Sequence, residues 1–297
     1  MFIKAIETIQ KFTRPLHTIV RYYGNDFATP WSGTFFFVND QGIAVTCRHI
    51  ANNIINTDSI NQRYQLIKSE RNSFGTKTDG KYRKQIAALE SKYGLVNQES
   101  IIQIKNTIMD SFDSITTIDC INHPTLDLAI LKFNGFTKIL YPSQAVFLKD
   151  TSDVKQGKYL CRYGYPFPEY NNFQYNPAKD DIEFTSTGIT ATPAFPLDGI
   201  ITRHLGNGKE IFGIEMSTPG LRGQSGGPLF DTKGIVYGMQ FATSHLHLGF
   251  DMKNKEITSE GKKIKVTNQP FLHVGHCIHV DRIKEFLTEH KVEFQEE

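Results

Sequence analysis

Residues 33–38 form a run of aromatic and β-branched side chains (Thr34, Phe35, Phe36, Phe37, Val38) entered through a glycine. The turn signal Asn39-Asp40-Gln41-Gly42 ends it, and a second short apolar run follows and stops near Thr46, so the pattern predicts two strands joined by a tight turn. A further apolar strand is predicted through His123-Pro124-Thr125-Leu126-Asp127-Leu128-Ala129-Ile130-Leu131-Lys132, with an acid set into it. Helical spacing occurs in fewer places. Tyr82, Ile86, Leu89 and Tyr93 recur at that spacing and end at Gly94, a residue suited to a helix C-cap. Ile101, Ile104, Ile108 and Phe112 make a second helical stripe, so a helical hairpin is predicted over about 72–112. Phe2, Ile6 and Ile9 share one face of a short N-terminal helix that packs on the body of the protein.

Three of these segments carry candidate chemistry. Gly223-Gln224-Ser225-Gly226-Gly227-Pro228 reads as a tight turn between two strands, with glycines that let backbone N–H groups point inward beside a hydroxyl. A serine hydroxyl needs a base to become a nucleophile. His49 follows the strand that ends near Thr46 and is expected on a turn facing a cleft. Asp127 is costly inside an apolar strand unless a donor such as an imidazole N–H faces it. Each has a plainer reading alone: an ordinary turn, a core-satisfied histidine, an edge-strand charge. His17, His204, Asp119 and Asp231 lack comparable contexts.

Taken together, and in the order His, Asp, Ser, the segments resemble the chymotrypsin-fold serine peptidases, most closely the bacterial HtrA-type and trypsin-like peptidase-domain proteins, here without a PDZ domain. A fourth segment, from Gly275 to Leu287, is similar to the last strand and closing helix of HtrA-type domains. The resemblance implies a mainly all-β fold, a chymotrypsin-like double β-barrel. Its parts would be an N-terminal helical segment (1–15), a first barrel with the helical insertion (16–144), and a second barrel with a C-terminal helix (145–297). It implies a serine endopeptidase acting on protein or peptide substrates through an acyl-enzyme, with Ser225 as nucleophile, His49 as base, Asp127 orienting the imidazole, and the amides of Gly223 and Ser225 as oxyanion donors. The pocket for the residue before the scissile bond would involve Thr218, Leu221, Gln240, Phe241, Ala242, Gly275 and Cys277. No acid stands at its expected base, which disfavours cleavage after Lys or Arg. Gln224 occupies the position where digestive relatives place an Asp that pairs with a new N-terminus, so the loop must be ordered by other means. The rival readings are a catalytically silent protease-fold binding module and an acyl-ester hydrolase.

Composition adds bounds rather than chemistry. The 297 residues carry 33 Lys and Arg against 31 Asp and Glu, so nothing in the charge argues for nucleic-acid or membrane binding. Charges interrupt the N-terminal apolar residues, which excludes a secretory signal, and a cytoplasmic location is expected. Ala51 stands where extracellular relatives place a bridging cysteine, so Cys47, Cys120, Cys161 and Cys277 read as buried free thiols. His245, His247, His273, His276, Cys277 and His279 match no tight zinc spacing. No metal and no cofactor are expected. A regulatory protein partner is left open, with the helical insertion, the N-terminal segment and the connection from Phe167 to Ile182 as the places for it.

Overall fold

A computed structural model of the protein describes residues 1–74, 80–206, 210–259, 261–268 and 270–297. Helix α1 (Ile3–Ile9) leads into a six-stranded antiparallel sheet of β1 (Thr13–Tyr22), β2 (Thr29–Phe37), β3 (Ile43–Thr46), β4 (Ile101–Ile108), β5 (Thr117–Asn122) and β6 (Ala129–Asn134). Its order is β4-β1-β2-β3-β6-β5, and helices α2 (Arg48–Asn72) and α3 (Gly80–Tyr93) lie between β3 and β4 in the chain.

Successive strand side chains point to opposite faces, so three consecutive buried phenylalanines mean that β2 is covered on both sides. Phe35 and Phe37 pack with Phe133 inside the first sheet, at ring separations of 5.6 and 5.8 Å. Phe36 turns the other way, toward Phe12 and Phe147. Tyr141 stacks on Phe37 at 3.6 Å, accepts from Gly42 N and donates to Asn39 O, which locks the expected 39–42 turn.

The second sheet comprises β7 (Val146–Phe147), β8 (Tyr159–Gly164), β11 (Phe195–Gly206), β12 (Ile211–Met216), β13 (Pro228–Phe230), β14 (Val236–His247), β17 (Phe271–His279) and β18 (Gln295–Glu296). Because β13 pairs with both β8 and β14, the run β13-β8-β11-β12-β17-β14 closes on itself as a barrel. Two hairpins stand apart from it, β9 (Phe173–Asn176) with β10 (Asp181–Phe184), and β15 (Met252–Ser259) with β16 (Lys262–Asn268). Helix α4 (Val280–Glu289) closes the end, burying Val280, Ile283, Phe286 and Leu287, with the His279 ring accepting from Asp281 N as its cap. The fold is thus mainly β, a chymotrypsin-like double barrel, and one continuous apolar core joins its halves.

Two expectations about the insertion need correction. Helix begins at Arg48, well before residue 72, and continues through Asn72. Residues 101–108 are strand β4, because pairing with β1 gives this isoleucine-rich segment its backbone partners. Ile102 packs with Tyr64 and Ile67 of α2 and Leu89 of α3 in a small separate core, while Asn61 of α2 both donates to and accepts from the backbone of Ile104. That amide pairing satisfies part of an otherwise open sheet edge. Helix α3 ends as expected at Gly94, whose φ of +56° allows Leu95 N to reach Glu90 O at 2.8 Å.

Candidate active site

His49 lies in the first turn of α2, with Cys47 as the N-cap residue, and not on a free turn. The first amides of a helix have no internal acceptor. Asp127 supplies one: its Oδ1 accepts from His49 N at 2.9 Å, while its Oδ2 meets His49 Nδ1 at 2.6 Å. One carboxylate therefore caps the helix and fixes the imidazole plane. Asp127 stands in the loop just before β6 and not within a strand, since a carboxylate grasping both groups must leave the sheet ladder. Burial works to raise its pKa, and the hydrogen bonds from the His49 ring and amide outweigh this, so it lies below the usual carboxylate value.

The loop holding Asp127 is itself pinned. Arg48 Nη1 donates to His123 O and Pro124 O, and His123 Nδ1 accepts from the amides of Thr125 and Leu126. Neither residue stood out in the sequence, although Arg48 adjoins the histidine and His123 opens the Asp127 segment.

Ser225 sits in the turn before β13. Gly223 has φ +95° and Gly226 φ +87°, and a Cβ at Gly226 would collide with Thr34 O. Gly226 N donates to Gln240 O and Gly227 N to Gln224 O, each at 2.8 Å. Among the described residues, no acceptor is found for the amides of Gly223 and Ser225. Gln224, fully buried, orders the loop through its side-chain amide: Oε1 accepts from Leu221 N and Nε2 donates to Phe195 O.

Ser225, Gly223 and His49 line one cleft of about 580 Å³ with Trp31, Asn53 and Arg222. The carboxylate, imidazole and serine are brought to one place, but among the described residues no hydrogen bond within 3.5 Å joins Ser225 Oγ to the His49 ring. Of the expected pocket residues, Gln240 and Cys277 are buried, Thr218 and Gly275 adjoin the buried Arg162, and Phe241 lies 6.2 Å from the His276 ring. Arg162 was missed by sequence reading. Its signal was a charge inside the apolar run 159–164, the same signal that marked Asp127.

Other candidates disperse. His17 is buried, stacks on Tyr170 and contacts Thr192 Oγ1 at 2.9 Å. His245 meets His273 across β14 and β17, His247 meets Asp251, His276 meets Glu215, and His279 caps α4. All four cysteines are free, but Cys120 is only half-buried. Burial pushes the Cys47 thiol well above its ordinary value, and it donates to Gln240 O.

A half-barrel sheet packed on a closed β barrel, with a serine and a histidine facing one cleft, is the arrangement of the chymotrypsin-like class. The family model for the trypsin-like peptidase domain matches residues 32–239, more than half of the chain, and the protein belongs to that family. Among solved structures the chain is similar to the HtrA-type protease AlgW with tripeptide, at 15% identity and TM-score 0.45 over 98% of this chain and 65% of that one. A serine-to-alanine form of that protease with tripeptide gives 14% identity and TM-score 0.46 over 97% and 63%. This chain therefore spans less than two thirds of the length of either. No curated protein matches it. Among the described residues, no helix is long and apolar enough to cross a membrane.

Proposed function

We propose that this protein is a serine endopeptidase that cleaves protein or peptide substrates through an acyl-enzyme. Ser225 Oγ attacks the scissile carbonyl carbon as its proton passes to His49 Nε2. The amides of Gly223 and Ser225 stabilise the oxyanion, and the carbon–nitrogen bond breaks as His49 protonates the leaving amine. Water, deprotonated by His49, then hydrolyses the Ser225 ester. Asp127 holds the ring in the tautomer that carries a proton on Nδ1 and stabilises its cation.

The observation that carries this reading is the double grip of Asp127 on His49, amide and ring together, in the cleft that also holds Ser225. Ser225 and His49 line the same cleft without a direct hydrogen bond, and catalytic hydrogen bonds often form only when substrate is bound. Free thiols fit a reducing, cytoplasmic setting.

The test is covalent labelling by a fluorophosphonate, expected in wild type and absent in Ser225→Ala. No labelling of folded wild type would favour a silent binding module. Labelling with turnover of esters but of no peptide would mark an acyl-ester hydrolase.

A further inference from the structure

Arg162, in the middle of β8, has none of its surface exposed. Its Nη1 donates to Gln240 Oε1 at 2.7 Å, and its Nη2 donates to Thr218 Oγ1 at 2.5 Å and Thr218 O at 3.0 Å. Every one of these acceptors is neutral. Among the described residues no carboxylate forms an ion pair with Arg162, and its Nε is buried with no acceptor at all. Glu215 belongs to the opposite face of β12, where it pairs with Arg203 and His276. Burial lowers the pKa of the Arg162 guanidinium, the direction expected of a cation without a counter-charge. A buried charge left this way is costly, so its retention in a core strand asks for a ligand.

Its location says which ligand. The guanidinium stands over Gly275, where any Cβ would collide with Nη1. In front of it lie two chain segments, 218–221 and 240–243, joined where Thr243 Oγ1 donates to Gly220 O at 2.7 Å. Gln240 is also backbone-bonded to the nucleophile turn, since Gly226 N donates to its carbonyl and its own N–H donates to Gly227 O. Leu221, at the end of the first segment, accepts from Gln224 N. The space between these walls therefore adjoins the turn that carries Ser225, and entry to it requires the buried Gln240 side chain to move. At present the Gln240 amide fills that space: its Oε1 faces Arg162 and its Nε2 donates to Ala242 O at 2.5 Å.

We propose that Arg162 determines specificity, and that the preferred substrate carries Asp or Glu immediately before the scissile bond. This rests on the peptidase reading above. The substrate carboxylate displaces the Gln240 amide and takes over its acceptor position on Nη1. Gln240 Oε1 is the neutral stand-in for that carboxylate. Lysine or arginine in this position meets a like charge. Glutamine and asparagine present the same shape with no charge to offset the guanidinium.

The decisive comparison uses the wild-type protein and peptidyl diphenyl phosphonates of one sequence, ending in Glu, Gln, Val or Lys, with modification of Ser225 followed by intact mass. The Glu reagent should react on the order of a hundredfold faster than its Gln isostere, the discrimination expected of a desolvated charge pair over a neutral one. In Arg162→Met that ratio should collapse toward one, and Arg162→Lys should restore part of it. Thermal unfolding of each variant checks that it is folded, and the wild-type ratio stands even if neither variant folds. A wild-type Glu-to-Gln ratio near one, with fluorophosphonate labelling intact, overturns the specificity role and leaves the peptidase reading standing. Failure of fluorophosphonate and phosphonates alike overturns the peptidase reading and this inference with it.

Discussion

Thr34 N donates to Ser225 O at 2.9 Å, and the Thr34 hydroxyl donates to Gly223 O at 2.6 Å. A residue of the first sheet thus holds both ends of the nucleophile turn in the second. The same hydroxyl accepts from Tyr165 N, and Thr46 Oγ1 returns to Thr34 O. These bonds orient the peptide planes that carry the Gln224 and Gly226 N–H groups, while Gly227 N, donating to Gln224 O, orients the plane that carries the Ser225 N–H, one of the proposed oxyanion donors.

Thr34→Val keeps the shape and the backbone bond but removes the hydroxyl. Labelling of Ser225 by a fluorophosphonate should slow by about ten- to a hundredfold, and stability should fall by about 1–3 kcal/mol for the unpaired buried partners. Thr34→Ser should retain most of both. Equal labelling rates for the Val and Ser variants would show that the hydroxyl does not position the turn.

Asp127→Asn leaves an oxygen for His49 N but presents an amide to Nδ1, which favours the wrong imidazole tautomer. Turnover should drop by about ten-thousand-fold with the fold intact. Helix α2 also loses an anion at its N-terminus, a cost of about 0.5–1 kcal/mol. Steady-state kinetics with circular dichroism measures both, and a drop below tenfold would remove Asp127 from the catalytic role.

Much of this site was legible because its chemistry must interrupt the pattern around it. Glycines about Ser225, an acid beside Leu126 and Leu128, and a histidine after a strand end each break a local rule. What the sequence did not disclose depends on distant partners. The helical spacing of Ile101, Ile104 and Ile108 is real, yet β1 offers that segment a ladder and the strand wins. Asp127 looks like a strand residue until His49 requires its carboxylate at a helix end. Thr34 and Arg48 hold the site through backbone oxygens, and such bonds leave no compositional mark.

Asp180 draws four donors from three parts of the fold: Arg21 Nη2 and Arg71 Nη2 at 2.7 Å, and the hydroxyls of Tyr64 and Tyr175 at 2.8 Å. It ties the β9–β10 hairpin to β1 and to the far end of α2, the helix that begins beside His49. Burial works to raise the Asp180 pKa, and the bonds from Arg71, Tyr175 and Tyr64 overcome it, so the net shift is downward. That contribution to stability is present above the unfolded carboxylate value and is lost as pH falls through the folded one. Asp180→Ala leaves Arg21 buried without its partner and should cost about 3–5 kcal/mol, read from urea unfolding at neutral pH. A loss under 1 kcal/mol would mean the cluster is dispensable.

His17 makes a second acid-sensitive element. Burial lowers its pKa from 6.5 to about 4, and its ring lies flat on Tyr170 with a ring separation of 4.0 Å. Between those two pH values the unfolded chain takes up a proton that the folded chain refuses, so stability falls as pH drops. From pH 7 to pH 5 this one ring should account for about 2 kcal/mol of lost stability, by linkage with 6.5 and about 4 as the two values. His279 is lowered to about 4 as well, chiefly by burial, so replacing His17 should reduce the slope and not abolish it. The measurement is the urea midpoint of wild type and His17→Phe at the two pH values. His17→Phe keeps an aromatic ring on Tyr170 and should lose about 2 kcal/mol less over that interval than wild type. Parallel pH dependence in the two proteins would place the titrating group elsewhere.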